Sequence, residues 1–340
     1  MSFIYLLSLT IFILFINKFF IKKKILISET GDIHQKFSSK SMVPLTGGFF
    51  IFLGYLNFLD EKIFSFILFT FIVLILGIFS DLKIIKSARK KFLLQILLIL
   101  SYIIFNGVQI NDTRIIFLDD ILKNDYINYL FVAFCILIII NGSNFIDGMN
   151  TLCIGYYLLI SSIIFYLQLN EIITIKDISI FYIFILLLTV FLLNLVNQLY
   201  LGDSGSYLLG FSFAIFLINI YNWNQHISPF FIVLLLWYPS YENLFSIIRK
   251  KILKRSPMYP DAKHTHQLIF FCIKKKYDLD IFLANILTGQ IINFYNLIVF
   301  LVSINFITNS KIQILLIFFN IAVYTTTYYK FFKYKYEKKV

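Results

Sequence analysis

Eleven apolar blocks punctuate the chain, near residues 2–21, 45–59, 63–79, 92–110, 128–142, 152–169, 178–196, 207–222, 228–248, 283–306 and 313–332. A helix needs about 20 predominantly apolar residues to cross ~30 Å of hydrocarbon, and most of the blocks approach that length. Those at 45–59 and 207–222 are shorter. Many are apolar all round, which is the pattern of a lipid-embedded helix and not the alternation of a barrel strand. Composition agrees. Hydrophobic residues are 59%, aromatics 19% and charged residues 14%, against roughly 25% charged in soluble chains. So few charges cannot cover a water-soluble surface. That excludes a soluble globular enzyme, a disordered chain and a coiled coil. The expected fold is an all-α polytopic membrane protein of about eleven transmembrane helices, in one domain over residues 1–340. The first block lacks a basic start and a small-residue cleavage site, and Lys22–Lys24 follow it, so it reads as a retained anchor.

The net charge is +12, from 30 Lys and Arg against 18 Asp and Glu. Twenty-five of the basic residues fall in alternate connections or the C-terminal tail, in clusters at Lys18–Lys40, Lys83–Lys91, Arg249–Lys276 and Lys330–Lys339. Only Lys62, Arg114, Lys123, Lys176 and Lys311 occupy the opposite face. The acids divide ten to eight and do not sort this way. Lys and Arg obey the positive-inside rule and acids do not, so the N-terminus is expected outside and the C-terminus in the cytoplasm. The basic excess then reflects topology and attraction to anionic headgroups, with no nucleic acid as partner. Cys135, Cys153 and Cys272 have no CxxC spacing and read as packing residues. The longest outer connection, 111–127, carries Asp112, Asp119, Asp120 and Asp125, which read as a solvated surface. The longest inner one runs about 249–282.

Five polar islands lie at the inner ends of the blocks. They are Lys40 to Gly48, Ser80-Asp81-Leu-Lys83, Asn144 to Asn150, Asn194 with Tyr200 to Ser206, and Arg255 to His266. Each alone has an ordinary explanation. Asp-Gly suits a turn or a helix end, Gly47-Gly48 suits close helix packing, and His264-Thr-His266 suits a surface loop. Five on one face of the bilayer are harder to dismiss, because acids near a membrane are costly. Asp81, Asp147, Asp203 and Asp261 would raise one another's pKa if left unneutralised. A hard divalent cation relieves that, and Mg²⁺ favours one or two carboxylates together with phosphate oxygens and water. Lys40 and the histidines add groups that bind phosphate, and Gly202 and Gly205 would let backbone approach a ligand. The set reads as phosphoryl transfer between a soluble donor and a lipid acceptor. His264, His266 and Asp261 also have the outline of a zinc site, which would leave the other acids without a task.

These residues resemble the polyprenyl-phosphate N-acetylhexosamine-1-phosphate transferases of bacterial membranes. Lys40, Pro44, Gly47 and Gly48 match K-x-x-x-P-x-x-G-G, and Asn144, Asp147 and Gly148 match N-x-x-D-G. Gly202 to Ser206 match G-D-S-G-S, and Ser256 to His266 match S-P-x-x-P-D-x-x-H-x-H. Pro239 to Glu242, followed by Arg249, is similar to a P-x-x-D segment. The resemblance runs in order from Lys40 to His266.

The resemblance implies a reaction in which polyprenyl (undecaprenyl) phosphate displaces UMP from a UDP-N-acetylhexosamine such as UDP-GlcNAc. It implies Mg²⁺ as cofactor, with Mn²⁺ as a substitute, and a site on the cytoplasmic face of the bacterial inner membrane. Asp203 and Asp147 would hold the metal, and Asp81 would be a base or an orienting acid. His264 and His266 would act on phosphates or sugar, with Lys40, Asn144, Asn194, Arg249 and Asp261 as further substrate contacts. Tyr200 would stack on uracil. A homodimer is compatible with the resemblance. Three positions depart from it: Ser80 where a second acid is common, Asn150 where Asp is common, and Gln267 where His often stands. The Pro-Asp-x-x-His-x-His form is similar to the branch that starts O-antigen, teichoic acid or related glycans. The phospho-N-acetylmuramoyl-pentapeptide transferases of peptidoglycan synthesis usually carry three consecutive histidines. Two other classes compete: a secondary transporter, favoured by Glu242 inside the ninth block, and an inactive scaffold, favoured by Ser80 and Asn150.

Overall fold

A computed structural model describes residues 2–28, 42–58, 64–176, 179–254, 256 and 261–336. Every one of the eleven apolar blocks is helical. They form α1 (Ser2–Lys23), α2 (Gly47–Phe58), α3 (Phe64–Asp81), α4 (Ala88–Asn106), α6 (Asp125–Ile146), α7 (Leu152–Leu169), α8 (Ile180–Leu195), α9 (Gly202–Trp223), the pair α10 (Pro229–Leu235) and α11 (Trp237–Ile252), α13 (Ile281–Ile304) and α14 (Ser310–Tyr336). Two short helices sit in the connections: α5 (Ile116–Leu122) and α12 (Thr265–Tyr277). Among the described residues, seven helices are long and apolar enough to cross a bilayer, or eight if α10 and α11 form one span. This is an all-α multi-pass membrane protein. Helix α4 begins with Arg89, Lys90 and Lys91, while α2 and α8 are the shorter apolar helices.

Local sequence explains several helix boundaries. Ser87, Asn124 and Asp280 cap α4, α6 and α13 by accepting backbone N–H groups, which satisfies otherwise unpaired donors. Gly107, at φ 60°, ends α4. The ninth block differs from a plain span. It breaks at Leu236, where α10 and α11 meet at a bend of 71°.

Helix α9 is the centre of the bundle, with 94% of its most apolar window buried. It packs on α2, α3 and α6, and glycines allow the approach. A Cβ on Gly48 would come 2.6 Å from Gly205 N, and one on Gly77 would come 2.2 Å from Ser204 Cα. Gly47-Gly48 and Gly205 therefore serve helix contact. The expected approach of Gly205 to a ligand is replaced by contact with α2, because G-D-S-G-S is the first turn of α9 and not a loop before it.

The opposite end of the bundle is tied by Arg114. Its guanidinium donates to the carbonyls of Gln225, His226, Ile227 and Thr308, and to Ser310 Oγ, at 2.7–3.2 Å. The acids around it are partly engaged: Asp119 accepts from Thr113, and Asp120 pairs with Lys123. Cys135, Cys153 and Cys272 are free thiols.

Candidate active site

The ends of α3, α6, α8, α9 and α11 that carry the polar islands all face one cavity of about 940 Å³. Asp81, Asn144, Asp147, Asn194, Tyr200, Asp203, Asp261 and His264 line it. Lys40, Pro257 and Pro260 lie outside the described residues. Arg249 and His266 are not on the cavity wall and act from behind it.

Asp203 is the most connected of the acids. Its carboxylate accepts from Asn144 Nδ2 at 2.6 Å, Tyr207 OH at 3.3 Å, Lys91 Nζ at 3.3 Å and Ser80 Oγ. Tyr207 reaches it because it stands one helical turn further along α9. Ser80, the departure from the two-acid pattern, thus touches the same carboxylate as the cation Lys91. The Asp81 carboxylate is aimed elsewhere. It accepts from the backbone N–H of Asp203 at 2.8 Å and of Ser204 at 3.1 Å. Asp81 on α3 therefore caps α9, whose own preceding residue, Leu201, offers no capping side chain. Gly202 takes φ 68° beside it, and a Cβ there would lie 2.7 Å from Asp81 Oδ2. Asp147 follows the last turn of α6. Its carboxyl is held well above the ordinary range by burial and by the neighbouring Asp203 and Asp81.

A net of amides fixes the far wall. Asn194 accepts from Thr151 N at 2.6 Å and donates to the Leu199 carbonyl at 3.0 Å. Its amide shapes the 196–201 turn from a position on the cavity wall. Asn150 donates to Asn197 Oδ1 at 2.5 Å, and Tyr200 OH donates to the same oxygen at 2.9 Å. An amide at position 150 is thus suited to this net, where a carboxylate could not donate.

The 261–267 segment is held by α11 and α14. Arg249 Nη2 donates to both Asp261 oxygens, at 3.0 and 2.9 Å. His264 Nδ1 lies 2.9 Å from Glu242 Oε1, and its Nε2 lies 3.6 Å from Asp261 Oδ1. His266 stacks on His264 with ring centroids 5.6 Å apart. It is fully buried against Gly148, and neither ring nitrogen has a hydrogen-bond partner among the described residues. Burial, with some help from His264, pushes its pKa down to about 3. His266 is therefore a neutral packing ring in this arrangement. Sequence reasoning missed Lys91, Tyr207 and Lys250. Lys91 sat in a run of five basic residues read for topology, and nothing in the run sets it apart. Tyr207 did carry a signal, its helical spacing from Asp203.

Mg²⁺ can be tested against this donor set. Among the described residues no cluster of three or more His, Cys, Asp or Glu forms a ready-made cage. A three-ligand zinc site is thereby disfavoured, since Glu242 engages His264 and His266 is shut behind the wall. Mg²⁺ fits, because one or two carboxylates suffice when phosphates and water complete the shell. The raised pKa of Asp147 marks an acid cluster that a cation would relieve.

Fold and cavity together are those of a multi-pass membrane protein whose acids and cations gather at one end of the bundle. The model of glycosyl transferase family 4 matches residues 63–221 of the chain. It is 27% identical over 250 residues, 70% of this chain and 69% of the relative, to a probable undecaprenyl-phosphate N-acetylglucosaminyl 1-phosphate transferase of Bacillus subtilis (strain 168). It is 34% identical over 71 residues, 21% of this chain and 23% of the relative, to the undecaprenyl-phosphate alpha-N-acetylglucosaminyl 1-phosphate transferase of Thermotoga maritima.

Proposed function

We propose that the chain transfers N-acetylglucosamine 1-phosphate, or a related N-acetylhexosamine 1-phosphate, from its UDP-sugar to undecaprenyl phosphate. The product, a polyprenyl-diphospho-sugar in the cytoplasmic leaflet of the inner membrane, would start a cell-surface polysaccharide. The observation that carries this reading is the meeting of Asp147 and Asp203 with Lys91 and Lys250 in one cavity at the end of an apolar bundle. Such a place can receive a water-soluble donor and a lipid acceptor together. The names of the relatives supply the sugar and the lipid.

In this reading a lipid-phosphate oxygen forms a bond to the sugar-bearing phosphorus, and the bond from that phosphorus to UMP breaks. A phosphomonoester with a second pKa near ~6 is mostly dianionic at neutral pH, so no strong base is needed. That suits Asp81, whose oxygens cap α9. Asp147 and Asp203 would hold Mg²⁺, which supplies charge neutralisation on the diphosphate when bound. Lys91 and Lys250 add positive charge along the wall, and His264 faces the cavity as a hydrogen-bonding group. Tyr200 offers a ring for uracil, a contact of ~1–3 kcal/mol.

The transporter reading loses its main support, because Glu242 is engaged by His264 and Tyr324. The scaffold reading is weakened by Ser80, which takes part in the contacts of Asp203. The test is transfer of radiolabelled sugar phosphate from UDP-GlcNAc to undecaprenyl phosphate by the reconstituted protein with Mg²⁺. Labelled lipid and UMP are expected in equal amounts. Folded protein that makes no product from any UDP-N-acetylhexosamine refutes the proposal.

A further inference from the structure

The last helix, α14, lies beyond the segment matched by the family model, yet one of its faces grips the histidine segment. Tyr324 OH donates to Glu242 Oε2 at 2.7 Å. The other oxygen of that carboxylate, Oε1, meets His264 Nδ1 at 2.9 Å. One turn later, Tyr328 OH accepts from Arg249 Nη1 at 2.9 Å, and Arg249 holds Asp261. Tyr324 and Tyr328 share a helix face through their four-residue spacing, so α14 supports both arms of the 261–267 segment.

We propose that Tyr324, acting through Glu242, is a positioning residue that holds His264 as its Nδ1–H tautomer with Nε2 turned to the cavity. The inference rests on the transferase reading for its kinetic consequence, but not for its geometry. An ionised carboxylate only accepts hydrogen bonds. The Tyr324 hydroxyl favours that ionised form by donating to Oε2 and aims Oε1 at the ring, so the His264 contact at Oε1 requires the proton on Nδ1. The ring nitrogen left over is Nε2, and a neighbour on the first nitrogen commonly fixes the tautomer in this way. Three further groups surround His264: Asp261 ahead of it, His266 stacked on it, and the Phe145 ring at 5.1 Å. None of them touches Nδ1. Helix α14 is itself fixed, since Tyr241 OH and Thr325 Oγ1 are 3.0 Å apart. The Tyr324 ring packs edge-on against Tyr241 and Phe245. A phenylalanine at 324 keeps that packing and loses only the hydroxyl.

The experiment is nitrogen NMR of ring-labelled histidine in the full chain in lipid nanodiscs, joined to steady-state kinetics. The chain has four histidines, and His264→Asn identifies the relevant signals. The intact protein is expected to give a protonated Nδ1 and an unprotonated Nε2 at His264. Tyr324→Phe is expected to mix the two tautomers and to lower kcat about tenfold, with the donor KM within about twofold. Glu242→Gln should disturb the same signals, which keeps the idea testable if Tyr324→Phe folds poorly. Unchanged His264 signals in both variants, or an unchanged kcat in Tyr324→Phe, overturn the inference. Absence of transfer by the unsubstituted protein would instead sink the transferase reading and leave the NMR result to decide the geometry.

Discussion

Replacing Asp203 by Asn removes one charge and keeps the shape. Two magnitudes follow from its contacts. The first is stability. Lys91 and Asp203 are about a quarter exposed, at 25% and 27%, so their attraction is screened and contributes about 1 kcal/mol. Asn still accepts at one oxygen, and the hydroxyls of Ser80 and Tyr207 can turn to meet its amide. The thermal midpoint should therefore fall by only about 2–4 °C. The second magnitude is rate. Losing one group that holds positive charge at the reacting diphosphate typically costs about 10²–10³ in turnover, so transfer should fall by at least two orders of magnitude. Mg²⁺ should raise the midpoint of the intact protein and not of Asp203→Asn. Lys91→Ala adds a cycle: if Lys91 serves only to neutralise Asp203, its loss should matter little once Asp203 is Asn. The assay is single-turnover transfer in nanodiscs, with thermal unfolding on the same samples. Near-normal transfer in Asp203→Asn, or an unaltered Mg²⁺ response, refutes the assignment.

Tyr200→Ala should mainly raise the UDP-sugar KM, by roughly 5- to 150-fold for a stacking contact of ~1–3 kcal/mol; an effect confined to lipid dependence would contradict the uracil role. His266 is held neutral, with its pKa down at about 3 from 6.5. Its contribution to stability is complete above pH 6.5 and is lost as pH falls towards 3. By pH 5 that loss is about 2 kcal/mol, measurable by thermal unfolding, and His266→Phe should flatten the profile. Arg114→Ala should loosen the connections at the opposite end by about 1–3 kcal/mol. Limited proteolysis near residues 225–228 should rise while transfer at permissive temperature is unaffected.

The helices were legible because hydrocarbon imposes a length and a polarity on every crossing segment, but the expected eleven crossings were not all met: among the described residues seven or eight helices are long and apolar enough. The convergence of Asp81, Asp147, Asp203, Asp261 and His264 on one cavity was legible for a related reason: acids are stranded at span ends only at a cost. Helix starts were harder. G-D-S-G-S looks like a turn by composition, yet it begins α9, because Asp81 from another helix supplies the cap. The break at Leu236 carried a signal in Pro239, which has no N–H for the Leu235 carbonyl four residues back and crowds it; Tyr156 OH donates to that carbonyl instead. The roles within the site divided similarly. His264 and His266 look alike in sequence, but one faces the cavity and the other is sealed behind Gly148. Asn194 lines the cavity, and its amide also holds the backbone of Thr151 and Leu199, which its place in the sequence does not reveal. Tyr324 and Tyr328 were invisible, because a tyrosine in an apolar stripe gives no sign of what its hydroxyl meets.

The seat taken by Asp81 has a consequence for recognition. The start of a buried helix is a natural berth for an anion, and at α9 that berth is already filled by the protein's own carboxylate. A nucleotide diphosphate arriving in the cavity finds no free amide nest at that point. Its grip is left to Lys91, Lys250 and a cation between Asp147 and Asp203, so its capture should weaken with added salt. Taking the Asp81 carboxylate away would uncover a rival harbour for inorganic phosphate.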